Sequence, residues 1–130
     1  MKNRSVTIIV VLVLLITTAL PILAHARANP HINGAGISLS SSMSARFECS
    51  TSADYNISVY SVKLEVKNAN GTWSSAGTLS SPASASNTSN YTKSVSYASS
   101  CTKGKTYRIS ATFDASGETV TRTSNEMTYK

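Results

Sequence analysis

The residues of this chain whose types could do chemistry are few. Cys49 and Cys101 are its two thiols. In an exported chain an even count favours pairing. Closing so long a loop would stabilise the fold by about 4 kcal/mol in the chain-entropy picture. The strand order developed below speaks against it. Cys49 falls late in a second strand and Cys101 just before a sixth that runs in the same direction, so the sulfurs sit at different heights, and a bond needs Cα atoms within about 7 Å. A Cys49–Cys101 disulfide is the expectation, and two unpaired thiols are the alternative. A metal site would need further ligands, and none has the spacing; no metal and no cofactor is expected.

General acid–base chemistry is equally thin. His25 and His31 are the two histidines. His25 falls in a segment expected to be removed, which leaves a Ser-His-Asp or Cys-His device hanging on His31 in a loose leader. The acids are Glu48, Asp54, Glu65, Asp114, Glu118 and Glu126. A glycosidase needs two facing carboxylates. Asp114 and Glu118 flank one turn, where a polar hairpin end explains them. No phosphate-cradling glycine loop, zinc helix or calcium loop occurs. Catalytic residues are therefore not expected, and the chain reads as no enzyme. Four Asn-x-Ser/Thr matches, at Asn56, Asn70, Asn87 and Asn90, arise easily in so Ser/Thr/Asn-rich a chain.

Binding chemistry has one candidate. Trp73, the single tryptophan, directly follows a turn. A half-exposed indole is a common nucleus of a carbohydrate or partner site; packing in a β core is the competing role.

The elements that must position these residues begin at the N-terminus. Lys2 and Arg4 precede the apolar run Val6–Ile16, Pro21 breaks it, and Ala24-His25-Ala26 supplies small residues at the two positions a signal peptidase reads. That is a secretory signal over residues 1–26, in a helix before cleavage. The run is shorter than the roughly 20 residues that span a bilayer, so no permanent membrane span is expected after cleavage. Residues 27–36, punctuated by Pro30, Gly34 and Gly36, read as a flexible leader. After cleavage ten basic residues face six acidic ones, a net charge of +4. They look scattered, with only Lys103 and Lys105 lying close together. That pattern suits a solvated surface and excludes a nucleic-acid stripe.

From residue 37 to 130 the texture alternates at period two. Ala45, Phe47 and Cys49 share a face, as do Tyr60, Val62, Leu64 and Val66. Ile57 and Val59 have the opposite parity, which places a bulge near Ser58–Tyr60. Asn70-Gly71 marks a hairpin turn. Ser80–Asn90 reads as a loop. Tyr91, Val95 and Tyr97 share a parity that Lys93 interrupts. Tyr107, Ile109, Ala111 and Phe113 form one of the cleanest amphipathic strands, and Asp114–Gly117 turns it back. About seven short strands with regular turn signals indicate a single antiparallel β-sandwich; a small closed barrel is the alternative.

The segments Val62–Leu79 and Lys103–Phe113, the latter with a Gly-x-x-Tyr-x-apolar pattern, resemble the middle hairpin and sixth strand of immunoglobulin-like and fibronectin-III-like domains. The ensemble is similar to small exported bacterial proteins that carry one such sandwich. No tryptophan takes the usual core place on the third strand between the cysteines. The resemblance implies the fold and an extracellular or wall-associated location, and carries no activity with it. The function expected is a secreted or cell-surface-associated interaction module without catalysis, its partner a protein or glycan at the cell surface. The alternative is a small secreted effector or inhibitor, antimicrobial or protease-inhibitor-like.

Overall fold

A computed structural model describes residues 31–130. The expected secretory signal, residues 1–26, and residues 27–30 of the expected leader lie outside the described residues. The rest is all-β, with no α-helix among the described residues. Seven antiparallel strands, β1 (Ile32–Leu39), β2 (Ser44–Lys67), β3 (Trp73–Thr78), β4 (Ala85–Ser96), β5 (Thr106–Ala115), β6 (Glu118–Thr123) and β7 (Met127–Thr128), form one sheet curled into a half-barrel.

The curl originates in β2. A straight strand of its 24 residues would run about 80 Å, far beyond the width of a domain of this size, so it must bend. Its register shifts between Ser50 and Tyr55, where Thr51 is buried and its hydroxyl donates to Ala53 O at 2.8 Å. It shifts again between Tyr60 and Lys63, where Ser61 takes φ 51°. The first half of β2 lies between β1 and β4, and the second between β3 and β5. The core fills the curl. Phe47, Phe113, Ile57, Leu64 and Ile109 are fully buried, and Phe47 meets Tyr97 edge-on at 6.5 Å and Phe113 at 6.4 Å. Met43, held at φ 61° in the β1–β2 turn, drops into the same core.

Both seams of the curl are closed by side chains. On one side β1 meets β6 and the link from β6 to β7 without a backbone ladder. Asn125 accepts from Leu39 N at 2.8 Å and donates to Leu39 O at 2.9 Å. Arg122 Nε donates to Ala35 O at 3.1 Å, and Glu118 accepts from His31 N at 2.5 Å. On the other side the 79–84 linker between β3 and β4 is tied down by phenols: Tyr97 donates to Ser80 O at 2.7 Å and Tyr91 to Ala83 O at 2.8 Å.

The free edge of β4 is blunted. Thr88 Oγ1 accepts from Asn90 N at 3.2 Å and donates to Asn90 O at 2.9 Å, occupying both backbone groups there. Lys93 pairs across from the buried Phe47 and so places a charge on the inward parity of an edge strand, a known guard against edge-to-edge pairing.

Three sequence expectations need correction. Residues 32–36 are not leader but the first half of β1, because a glycine-containing strand can lie flat against β2 without side-chain conflict. The segment read as a loop over Ser80–Asn90 becomes β4 from Ala85 onward. Tyr60, grouped with the inward row, is 43% exposed, because the bulge at Ser61 reverses parity after it.

Candidate functional site

Cys49 and Cys101 are both free thiols, so the expected disulfide is not formed. Cys49 lies mid-way along the first half of β2, opposite Ala35 and Tyr91. Cys101 lies at the other end of that half. Before it, Tyr97 N bonds Met43 O at 2.8 Å; after it, Gly104 N bonds Tyr129 O at 2.8 Å, and the next residue, Lys130, bonds Ser41 O at 3.1 Å. From Met43 to Cys49 is about 20 Å of strand, well outside disulfide reach. Burial pushes both thiols up from their ordinary range, which makes them poor nucleophiles.

His31 is not in a loose leader. Its carbonyl accepts from Ser52 N at 2.8 Å, its ring stacks on Tyr55 at 4.6 Å, and Nδ1 lies 3.2 Å from Ala115 O. No carboxylate pair forms beside it. Glu118 pairs across from the buried Ala115 and shares its side of the hairpin. Asp114, one residue earlier, is on the opposite side, where Oδ1 accepts from Gly117 N at 3.3 Å. Two carboxylates on opposite faces cannot flank one glycosidic bond. Among the described residues no group of His, Cys, Asp and Glu is placed to hold a metal ion.

A shallow cavity of about 270 Å³ opens on the outer face of β1, β2 and β4 over Gly34, Gly36, Glu48, Ser50, Asn90 and Thr92. It exists because two glycines leave the β1 surface bare. Its carboxylate, Glu48, is already paired with Arg46 at 2.8 Å.

The richer chemistry is at the end where β2 finishes and β5 begins. Trp73 opens β3 and pairs across from Lys67, so both stand on the outer face. The indole is half-buried. Arg108 lies over it, with Cζ 4.2 Å from the ring centroid, and Lys67 Nζ is at 5.7 Å. Arg108 Nε is also held by Glu65 at 2.8 Å, and Lys67 by Glu126 at 3.0 Å. A second aromatic–cation pair, Lys103 over Tyr129 at 5.7 Å, sits beside it. Tyr129 N bonds Lys105 O at 3.0 Å, which brings Lys105 and Lys130 to the same end.

Five of the nine basic residues among the described residues are therefore not scattered in space. Lys67, Lys103, Lys105, Arg108 and Lys130 gather at one end from three separate stretches of chain. At the far end of β5 lie Asp114, Glu118 and Asp54; Asp54 stands three residues before Ile57, which pairs with Ala115. The two ends are about 30 Å apart along β5. No signal in linear sequence marks this polarity, because strand pairing creates it.

Compared with known protein families, curated proteins and solved structures, the chain matches none. Among the described residues no helix is long and apolar enough to cross a membrane.

Proposed function

We propose that the protein is an exported, non-catalytic interaction module of immunoglobulin-like sandwich type, acting outside the cell or at its surface. On this reading the two halves of β2 belong to two facing layers, and the docking surface is the sheet face around Trp73. The single observation that carries it is the placement of Trp73. The chain's one indole is outside the core, half-buried on an outer sheet face and clamped by Arg108 and Lys67. A large aromatic side chain held in one orientation at a surface, with cations fixed over it, organises a binding surface at little conformational cost.

The reading is tested in two steps. Mass spectrometry of protein recovered from the medium of a producing bacterial culture should show a chain starting at Arg27. Purified bacterial cell walls should then pellet the mature protein but leave Trp73→Ala in the supernatant, with both proteins giving the same circular dichroism spectrum. Retention of residues 1–26, or no pelleting of the wild type, would refute the proposal.

A further inference from the structure

We infer that the end of the molecule carrying Trp73 and Tyr129 binds a linear polyanion without stacking bases, of the phosphodiester-linked kind found in bacterial surface polymers. This rests on the docking face proposed above and names its ligand class. A neutral sugar or a nucleobase is recognised by stacking on a bare ring. Here the rings are already engaged: a guanidinium lies 4.2 Å from the Trp73 centroid, and ammonium groups lie 5.7 Å from Trp73 and from Tyr129. The rings act as mounts for cations. Each mounted cation has lost part of its rotamer freedom before a ligand arrives, which lowers the entropic cost of binding.

Charge accounting points the same way. Arg46–Glu48, Lys67–Glu126 and Arg108–Glu65 form ion pairs. At this end five cations, Lys67, Lys103, Lys105, Arg108 and Lys130, face two acids, Glu65 and Glu126, so it keeps an excess of positive charge; Lys63 and Lys93, further along β2 and on β4, are outside these pairs as well. Two of its cations also have an acid beside them that fixes their position. The opposite end carries Asp54 and Asp114. A field polarised along the strands orients an approaching polyanion toward the basic end and away from the other. The cations also span neighbouring strands. Lys67 is on β2, Lys105 and Arg108 are at and in the start of β5, and Lys130 follows β7. Strands lie about 4.8 Å apart, so the row matches a ligand with charges repeated along its length better than a single compact anion.

The probe is synthetic poly(glycerol phosphate), titrated into the mature protein while Trp73 fluorescence is followed, with soluble chitin oligosaccharide and a short DNA duplex as comparisons. Poly(glycerol phosphate) should bind with an affinity that falls linearly in log–log form as salt rises. Lys103→Glu/Lys105→Glu should weaken it by about tenfold or more and flatten the salt slope by about two contacts. Lys103→Ala/Lys105→Ala should fall between, and Lys93→Glu, on the β4 edge, should bind as wild type. Equal weakening by Lys93→Glu would reduce the effect to net charge and overturn the assignment. So would tighter binding of duplex DNA, or the absence of any salt-dependent binding. Chitin oligosaccharide bound in preference, and unaffected by the lysine changes, would overturn the polyanion while leaving the interaction module standing.

Discussion

Asn125 is the residue on which the β1 seam turns, and its removal has a calculable cost. Its side chain bridges both backbone groups of Leu39, accepting at 2.8 Å and donating at 2.9 Å. Leu39 is 3% exposed, so water has little access to the groups that Asn125→Ala would strand. An unpaired buried donor or acceptor costs about 1–3 kcal/mol, and one that water can reach costs the smaller net value of about 1 kcal/mol. Asn125 itself is exposed on its other side, so water partly replaces it, and about 2 kcal/mol in all is expected. In a domain of this size that lowers Tm by about 8–16 °C and leaves a folded protein, since domains retain about 5–15 kcal/mol. Asn125→Asp keeps the acceptor but turns a carboxylate oxygen toward Leu39 O. It should be worse than alanine at neutral pH and recover as the carboxyl protonates. Arg122→Ala, which removes two exposed bonds, to Ala35 O at 3.1 Å across the seam and to Thr121 O at 3.2 Å, should cost under about 0.5 kcal/mol. Urea unfolding followed by Trp73 fluorescence gives the free energies, and hydrogen exchange reads the Leu39 amide directly. If Asn125→Ala lies within 0.5 kcal/mol of wild type, or the Leu39 amide stays as protected, the seam is not held this way.

Three further outcomes follow from the same geometry. Burial pushes the phenols of Tyr91 and Tyr97 up to about 12, with Cys49 adding to the first and Tyr91 to the second. Their folded values lie above the unfolded value near 10, so the stability they hold is complete below about pH 10 and is lost as pH rises through 12. Phenolate absorbance and far-ultraviolet circular dichroism should change together over that window. Ser116 and Gly117 form a two-residue hairpin turn with φ 53° and 85°, the mirror-image turn that favours Asn-Gly; Ser116→Asn should raise stability by about 0.5–1 kcal/mol in urea melts. Lys93→Val removes the inward charge from the β4 edge, and light scattering should then report self-association at concentrations where the wild type is monodisperse.

Much of the sheet was legible because its signals are short-range. Tyr107, Ile109, Ala111 and Phe113 alternate, and all four are buried. The parity conflict between Val59 and Val62 announced a bulge, found at Ser61. Asn70-Gly71 turns where expected, with Asn68 O accepting from Gly71 N at 2.9 Å. What stayed hidden depends on pairing. The β1 strand is disguised by Asn33, Gly34 and Gly36, residues that usually end strands; they are tolerated because Ile37 and Leu39 bury in the core and Ile32 and Ala35 pack against it. The strand β4 is disguised because its outer face and free edge want no apolar residues. The single long β2 reads as two strands, since a bend and a break look alike in sequence. The candidate site was half legible. Trp73 was visible as a type of residue, but the cations around it come from β2, β5 and the tail beyond β7, and no local pattern joins them.

The two seams differ in chemistry, and that difference makes a final test of how the sheet holds its curl. One seam is fastened by Asn125, Arg122 and Glu118, the other by the hydroxyls of Tyr97 and Tyr91. If each side chain merely satisfies its local backbone partner, Asn125→Ala and Tyr97→Phe act on separate sites with no shared partner, and their costs should add within about 0.5 kcal/mol. If instead opening either seam lets the curl relax, the second loss becomes cheaper once the first is made, and the double variant should be more stable than the sum. The structure favours additivity. Between the seams lies a close-packed layer in which Phe47 touches both Tyr97 and Phe113, and close-packed interiors resist continuous deformation. A coupling energy above about 1 kcal/mol in this double-mutant cycle would mean that the curl is held by its fasteners rather than by its core.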